Sequence, residues 1–153
     1  MSKIIRHFVY TATVLILGGQ LAACSTPQLG VNNGKFQACS SAPHCVSSTE
    51  KNTGKYIAPI KVNSAQDWQR LQQLLLAMPR TKLVAQDTNY VHAVTSTAIM
   101  RYKDDVELLY SPSAKTADVR SSSRIGYYDF EVNRDRVEKL RSQLNGDNAG
   151  QGQ

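Results

Sequence analysis

Between Val119 and Arg124 the chain reads Val-Arg-Ser-Ser-Ser-Arg, which has the alternation of a strand and almost nothing apolar to bury. Val119, Ser121 and Ser123 share one face; Arg120, Ser122 and Arg124 share the other, so one side is small and the other basic and hydroxyl-bearing. Such a strand buries little and cannot be held by burial alone. It needs a neighbour of opposite charge, and one lies just upstream. In Val106 to Tyr110 the residues Val106, Leu108 and Tyr110 face one way and Asp105, Glu107 and Leu109 the other, and Ser111-Pro112-Ser113-Ala114 supplies a turn. Folded as an antiparallel hairpin, parity sets Glu107 opposite Arg120 and Asp105 opposite Ser122.

The flanking segments read as a small domain around that hairpin. Tyr56 to Val62 is strand-like, but Pro59 lacks a donor and restricts the segment to a sheet edge or an extended lead-in. Ser64 caps a helix carrying Asp67 in its first turn, Trp68, Leu71, Leu74, Leu75 and Met78 on one side, and Pro79 at its end. Trp68 is expected as a core anchor. Lys82 to Gln86 and Tyr90 to Tyr102 read as two extended runs joined at Asp87-Thr88-Asn89, the second a long bent strand on which His92 is a hydrogen-bonded structural residue. After a turn at Ile125 to Asp129, a second helix starts near Asn133 as its N-cap and buries Val137, Leu140 and Leu144. The order strand, helix, several strands, helix predicts an α+β fold: a twisted, mainly antiparallel sheet with two helices packed on one face.

The N-terminus carries an address. Lys3, Arg6 and His7 precede the apolar run Phe8 to Leu17, and Leu21-Ala22-Ala23-Cys24 closes it. That pattern is a secretory signal, too short for a comfortable span of ~20 apolar residues. Small residues before a cysteine resemble the bacterial lipobox, which implies cleavage before Cys24 and lipidation of its thiol. The alternative is an ordinary signal cut at Ala23 that leaves Cys24 free. Ser25, a non-aspartate, points by resemblance to enteric sorting rules to the outer membrane, with the protein facing the periplasm. The net charge of +6 falls to +4 once Lys3 and Arg6 are removed. This mild basicity, without an aromatic and basic groove, gives no ground for a nucleic-acid partner.

Cys39 and Cys45, in Cys-Ser-Ser-Ala-Pro-His-Cys, read as a disulfide in an oxidising compartment. With His44 and His92 they could also be combined into a zinc site, although adjacent His44 and Cys45 cannot easily chelate together. Neither metal nor cofactor is called for. The expected domains are a signal peptide over 1–23, the lipidated Cys24 and a Ser, Thr, Asn, Gly and Pro tether over 24–55 that ends in the Cys39 to Cys45 loop, one domain over 56–145, and a disordered tail over 146–153.

Taken in order, several pieces resemble the domain-of-unknown-function family 1499, small bacterial and plastid proteins often made as lipoproteins. They are Pro43-His44-Cys45-Val46-Ser47-Ser48, Ile57 with Pro59-Ile60, Trp68 with Leu71, Tyr90 to Ser96, and Asp104-Asp105-Val106-Glu107. Arg120 to Arg124 follows, and then Gly126, Asp129, Asn133, Arg134 and Arg136. His44 stands where the motif resembles Asn, which argues against a family ligand role for it, and Glu131 stands where the family resembles Gly. The resemblance brings no activity. It implies that the acidic and arginine segments form one unit, a candidate ligand or ion-pair site of Asp104, Asp105, Glu107, Arg120, Ser121, Ser123, Arg124, Asp129, Asn133 and Arg134.

Two functions fit these residues. One is a membrane-anchored periplasmic lipoprotein whose guanidinium groups lock internal acids or capture an anionic or protein partner. The other is an enzyme using Asp105 and Glu107, which share a face, with Arg120 and Arg124 on an anionic or metal-assisted substrate. No nucleophile elbow, metal-binding histidine pair or phosphate loop supports catalysis, so no residue is assigned a catalytic role.

Overall fold

The computed structural model describes residues 29–150, with the side chains of the last helix described to Gly146. The expected signal, Cys24 and the last three residues of the expected tail lie outside them. The elements are β1 (Val31–Asn32), β2 (Lys35–Phe36), β3 (Cys45–Ser47), β4 (Ile60–Lys61), α1 (Ala65–Ala77), β5 (Thr81–Asp87), β6 (Tyr90–Ser96), β7 (Lys103–Ser111), β8 (Thr116–Ser123) and α2 (Val132–Gly150). β1 and β2 form a small hairpin. The main sheet runs β3-β8-β7-β6-β5, with β4 sharing the outer edge of β8, and its pairings are antiparallel. This is the expected α+β architecture.

One face of the sheet holds the apolar core. Val91 and Ala93 of β6, Val106, Leu108 and Tyr110 of β7, and Ala117 and Val119 of β8 share it. Against them pack Trp68, Leu71, Leu74 and Leu75 of α1 and Val137, Leu140 and Leu144 of α2. Ser64 caps α1 as expected, its hydroxyl accepting from the Asp67 N–H at 3.1 Å. Trp68 is 4 % exposed, lies 5.4 Å from the Tyr110 ring and donates its indole N–H to the Thr88 carbonyl at 3.0 Å.

Several boundaries differ from the sequence expectation. The long strand expected over Tyr90 to Tyr102 ends at Ser96, because Thr97 ties the chain back on itself. Its N–H donates to the Tyr102 carbonyl and its hydroxyl accepts from the Tyr102 N–H, each at 2.9 Å. β7 accordingly starts earlier, at Lys103. The domain does not begin at 56. Cys45, Val46 and Ser47 pair with Ser122, Ser121 and Arg120 and are buried, since the edge of β8 would otherwise expose its backbone donors and acceptors. Upstream of them, residues 29–44 lie over the second face of the sheet, where the Gly30 N–H reaches Glu107. The expected tether is thus in large part a covering strap.

Two corrections concern α2. It runs to Gly150, through the expected stop at Asn145-Gly146. A helical glycine costs about 1 kcal/mol, and a helix held by fully buried Val137, Leu140 and Leu144 absorbs that. Asn133 is not its cap. Asp129 does that work, accepting from the Glu131 N–H at 3.2 Å and the Asn133 N–H at 3.1 Å.

Candidate functional site

β8 is not the weakly buried strand its composition predicted. Arg120, Ser121 and Ser122 are all buried, because β3 covers one edge, the strap lies over one face and α2 over the other. The polar side chains of the hairpin are therefore enclosed on both sides of the sheet, and alternation divides them into two groups.

The first group faces the helices. Asp104 and Arg136 meet at 2.6 Å, both buried. Arg136 also donates to the Asn133 side-chain carbonyl at 2.6 Å and to the Ser121 hydroxyl at 3.0 Å, and Ser121 donates to the same Asn133 oxygen at 2.6 Å. The Asn133 amide reaches Asp129 at 2.7 Å, Ser123 at 3.0 Å and the His44 carbonyl at 3.1 Å. Asn133 thus joins α2, β8 and the segment before β3. Such a closed network fixes one packing of the helix on the sheet, since each member would be costly to leave unpaired.

The second group faces the strap. Glu107 and Arg120 are cross-strand partners, as parity demands, 3.2 Å apart with Glu107 fully buried. Glu107 also accepts from the Tyr90 hydroxyl at 2.8 Å and the Gly30 N–H at 2.9 Å. Burial first, and that hydrogen bond second, push the Tyr90 phenol well above its ordinary value. Asp105 accepts two hydrogen bonds from Arg124, each at 2.8 Å, and one from His92 Nε2 at 2.8 Å. Burial alone would raise the Asp105 pKa, but the bonds from His92 and Arg124 and the charge of Arg124 outweigh it and hold the carboxyl below its usual range. The bond to Asp105 in turn raises Arg124. His92 is the structural residue expected.

Arg134 belongs to neither group. It is a half-buried residue of α2 that donates to the carbonyls of Gly54 at 2.9 Å and Tyr56 at 3.1 Å and pairs with Glu131. The ten candidates are therefore two networks on opposite faces and one outlier, not one unit. Arg136, His92, Tyr90 and His44 complete the networks and were not among the candidates. Strand parity signals Tyr90 and His92, which alternate with Val91; Arg136 lies one helical turn after Asn133 and shares its face.

Cys39 and Cys45 are joined, their Cα atoms 5.7 Å apart, so the zinc alternative falls. Between the strap and the second network lies an open cavity of about 320 Å³ lined by Leu29, Gln37, Ser40, His44, Asp105, Arg120 and Arg124. Arg120 and His44 each bury a nitrogen, Nε and Nδ1 respectively, with no partner among the described residues.

The sequence model of the family described as protein of unknown function, DUF1499, matches residues 35–144. The chain belongs to that family. No curated protein and no solved structure matches it. The DUF1499 match begins at Lys35, inside the strap, so β2, the disulfide loop and β3 lie within the family's unit together with the hairpin, α1 and α2 as far as Leu144.

Proposed function

We propose that this DUF1499 protein is exported, lipidated at Cys24 and held in the bacterial cell envelope, at the outer membrane facing the periplasm. There its domain serves as a non-catalytic binding module for a small anionic group. The lipobox-like Leu21-Ala22-Ala23-Cys24 supports the anchoring, and the Cys39 to Cys45 bond fits an oxidising compartment.

The observation that carries the binding reading is the strap cavity, which brings together the two residues with unpartnered buried nitrogens. Both residues line it, and a guanidinium, an obligate donor, pairs with carboxylate or phosphate oxygens. Catalysis by Asp105 and Glu107 is the weaker reading. A general base works best with a pKa near the working pH, whereas Arg124 and His92 hold Asp105 well below it.

Two measurements test this reading. Cys24→Ser should move the protein from the membrane fraction to the soluble one or leave an unprocessed precursor; unchanged membrane attachment of the mature form would overturn the anchoring. For the cavity, inorganic phosphate titrated into the purified protein at constant ionic strength should raise its Tm more than chloride does, by ~2.7 kcal/mol of stability at 100 times the Kd. The gain should shrink in His44→Leu. Equal responses to phosphate, acetate and chloride would reject the binding module.

A further inference from the structure

Among the described residues, seven of the twelve exposed large apolar side chains fall in two loops, 97–102 and 124–131, and an eighth, Val132, opens α2 directly after the second, so they form a patch and not a scatter. Ile99, Met100 and Tyr102 come from the first, Tyr127, Tyr128 and Phe130 from the second. The loops adjoin, since Tyr102, Tyr128 and Phe130 line one largely apolar cavity of about 180 Å³. Tyr128 and Phe130 meet edge to face at 5.2 Å. The backbone is bent to present them: Arg101, Phe130 and Glu131 have φ of 53°, 56° and 63°, a region that bulky side chains rarely enter. Phe130 is nonetheless 81 % exposed. The fold thus holds an aromatic side chain outward at a conformational cost.

We infer that this rim is a membrane-contact surface, and that its occupant is the leaflet in which the Cys24 lipid is seated; the inference rests on the anchoring proposed above. Three observations select a bilayer. Tyr side chains carry an apolar body and a polar tip, which suits the headgroup level, and Ile99, Met100 and Phe130 supply the apolar part. Arg101 in the first loop and Lys103, which opens β7 directly after it, are exposed cations placed for anionic headgroups. The third is reach. Leu29 lines the strap cavity together with Ser123 and Arg124, at the end of β8 from which the aromatic loop departs. Leu29 lies five positions after Cys24, and a chain rising at most ~3.6 Å per residue spans ~18 Å over that interval. A lipidated Cys24 would therefore keep this end of the sheet next to the membrane, where the aromatic rim presents its apolar side chains.

The test uses the full lipidated protein in vesicles of phosphatidylethanolamine and phosphatidylglycerol, with and without bromine on the acyl chains. The indole introduced by Phe130→Trp reports on the rim, and Trp68, buried in the core, is the internal reference. Interfacial side chains lie ~5 to 10 Å into the headgroup and acyl boundary, so brominated lipid should quench the rim indole about twofold and leave wild-type emission unchanged. Arg101→Glu with Lys103→Glu should reduce the quenching while the protein still floats with the vesicles. Flotation without quenching would overturn the rim and leave the anchoring intact. A concentration-dependent blue shift without quenching would assign the rim to a second copy of the chain and overturn it equally. Failure to float would overturn the anchoring and this inference with it.

Discussion

Replacing Glu107 by Gln would leave the buried Arg120 guanidinium without its counter-charge, and Arg120→Met would do the same to Glu107. With side chains 0 % and 7 % exposed, both groups are largely withdrawn from water. Each single substitution should therefore cost ~3 to 5 kcal/mol in denaturant unfolding, and the double mutant should lose less than the sum. Strict additivity would mean that the two do not interact. Asp118, on the same face, behaves in the opposite way. Burial raises its pKa, and Lys51 lowers it only in part. A raised carboxyl favours the protonated acid in the folded state, so ionised Asp118 detracts from stability at neutral pH. That deficit fades as pH falls through the folded value toward 3.8. Asp118→Asn should accordingly melt higher than wild type at pH 7 and converge with it below about pH 3.8. Asp105, held low, contributes stability above 3.8 that is lost only below it. A Tm difference for Asp118→Asn that does not change with pH would contradict this assignment.

Strand alternation made the β7 to β8 register legible in advance, because a one-residue slip would have set Glu107 against Val119 or Ser121 and removed the charge match. α1 was equally legible, since Ser64, Asp67 and Pro79 mark its ends chemically. What the sequence concealed were contacts set by distant chain. Nothing local tells that Cys45–Ser47 covers the edge of β8, that Asp129 caps α2 while Asn133 turns inward, or that Thr97 closes a loop at a point where the β pattern continues. Glu131 is instructive: the family resemblance expects glycine there, and the structure gives it φ 63°. The short disulfide loop is the element that holds the strap to β3. With a sequence separation of 6, the chain-entropy model gives ~2 kcal/mol for the bond. Cys39→Ala with Cys45→Ala should lower stability by about that amount in chemical denaturation, and no change would mean that the loop is held without it.

At the scale of the molecule, the sequence disclosed one core, two helices on one face of an antiparallel sheet, and a polar hairpin. It did not disclose that the hairpin's charges are divided between the two faces, since that requires knowing that both faces are covered. Composition alone made residues 25–55 read as a tether: few large apolar side chains occur there, and Phe36 and Val46, both buried, are too far apart to form a periodic signal. The strap is held instead by hydrogen bonds of very long sequence separation. Gly30 reaches Glu107 across 77 positions, Ser48 reaches Val119 across 71, and the His44 carbonyl meets Asn133 across 89. Those partners emerge from the ribosome long after the strap does, and closing loops of that length is slow compared with forming the local hairpins. The first part of the domain to be synthesised is thus the last to be seated. Until then the Glu107 and Arg120 pair is wet, and Cys39 and Cys45 lie on a segment that does not yet have a fold to join.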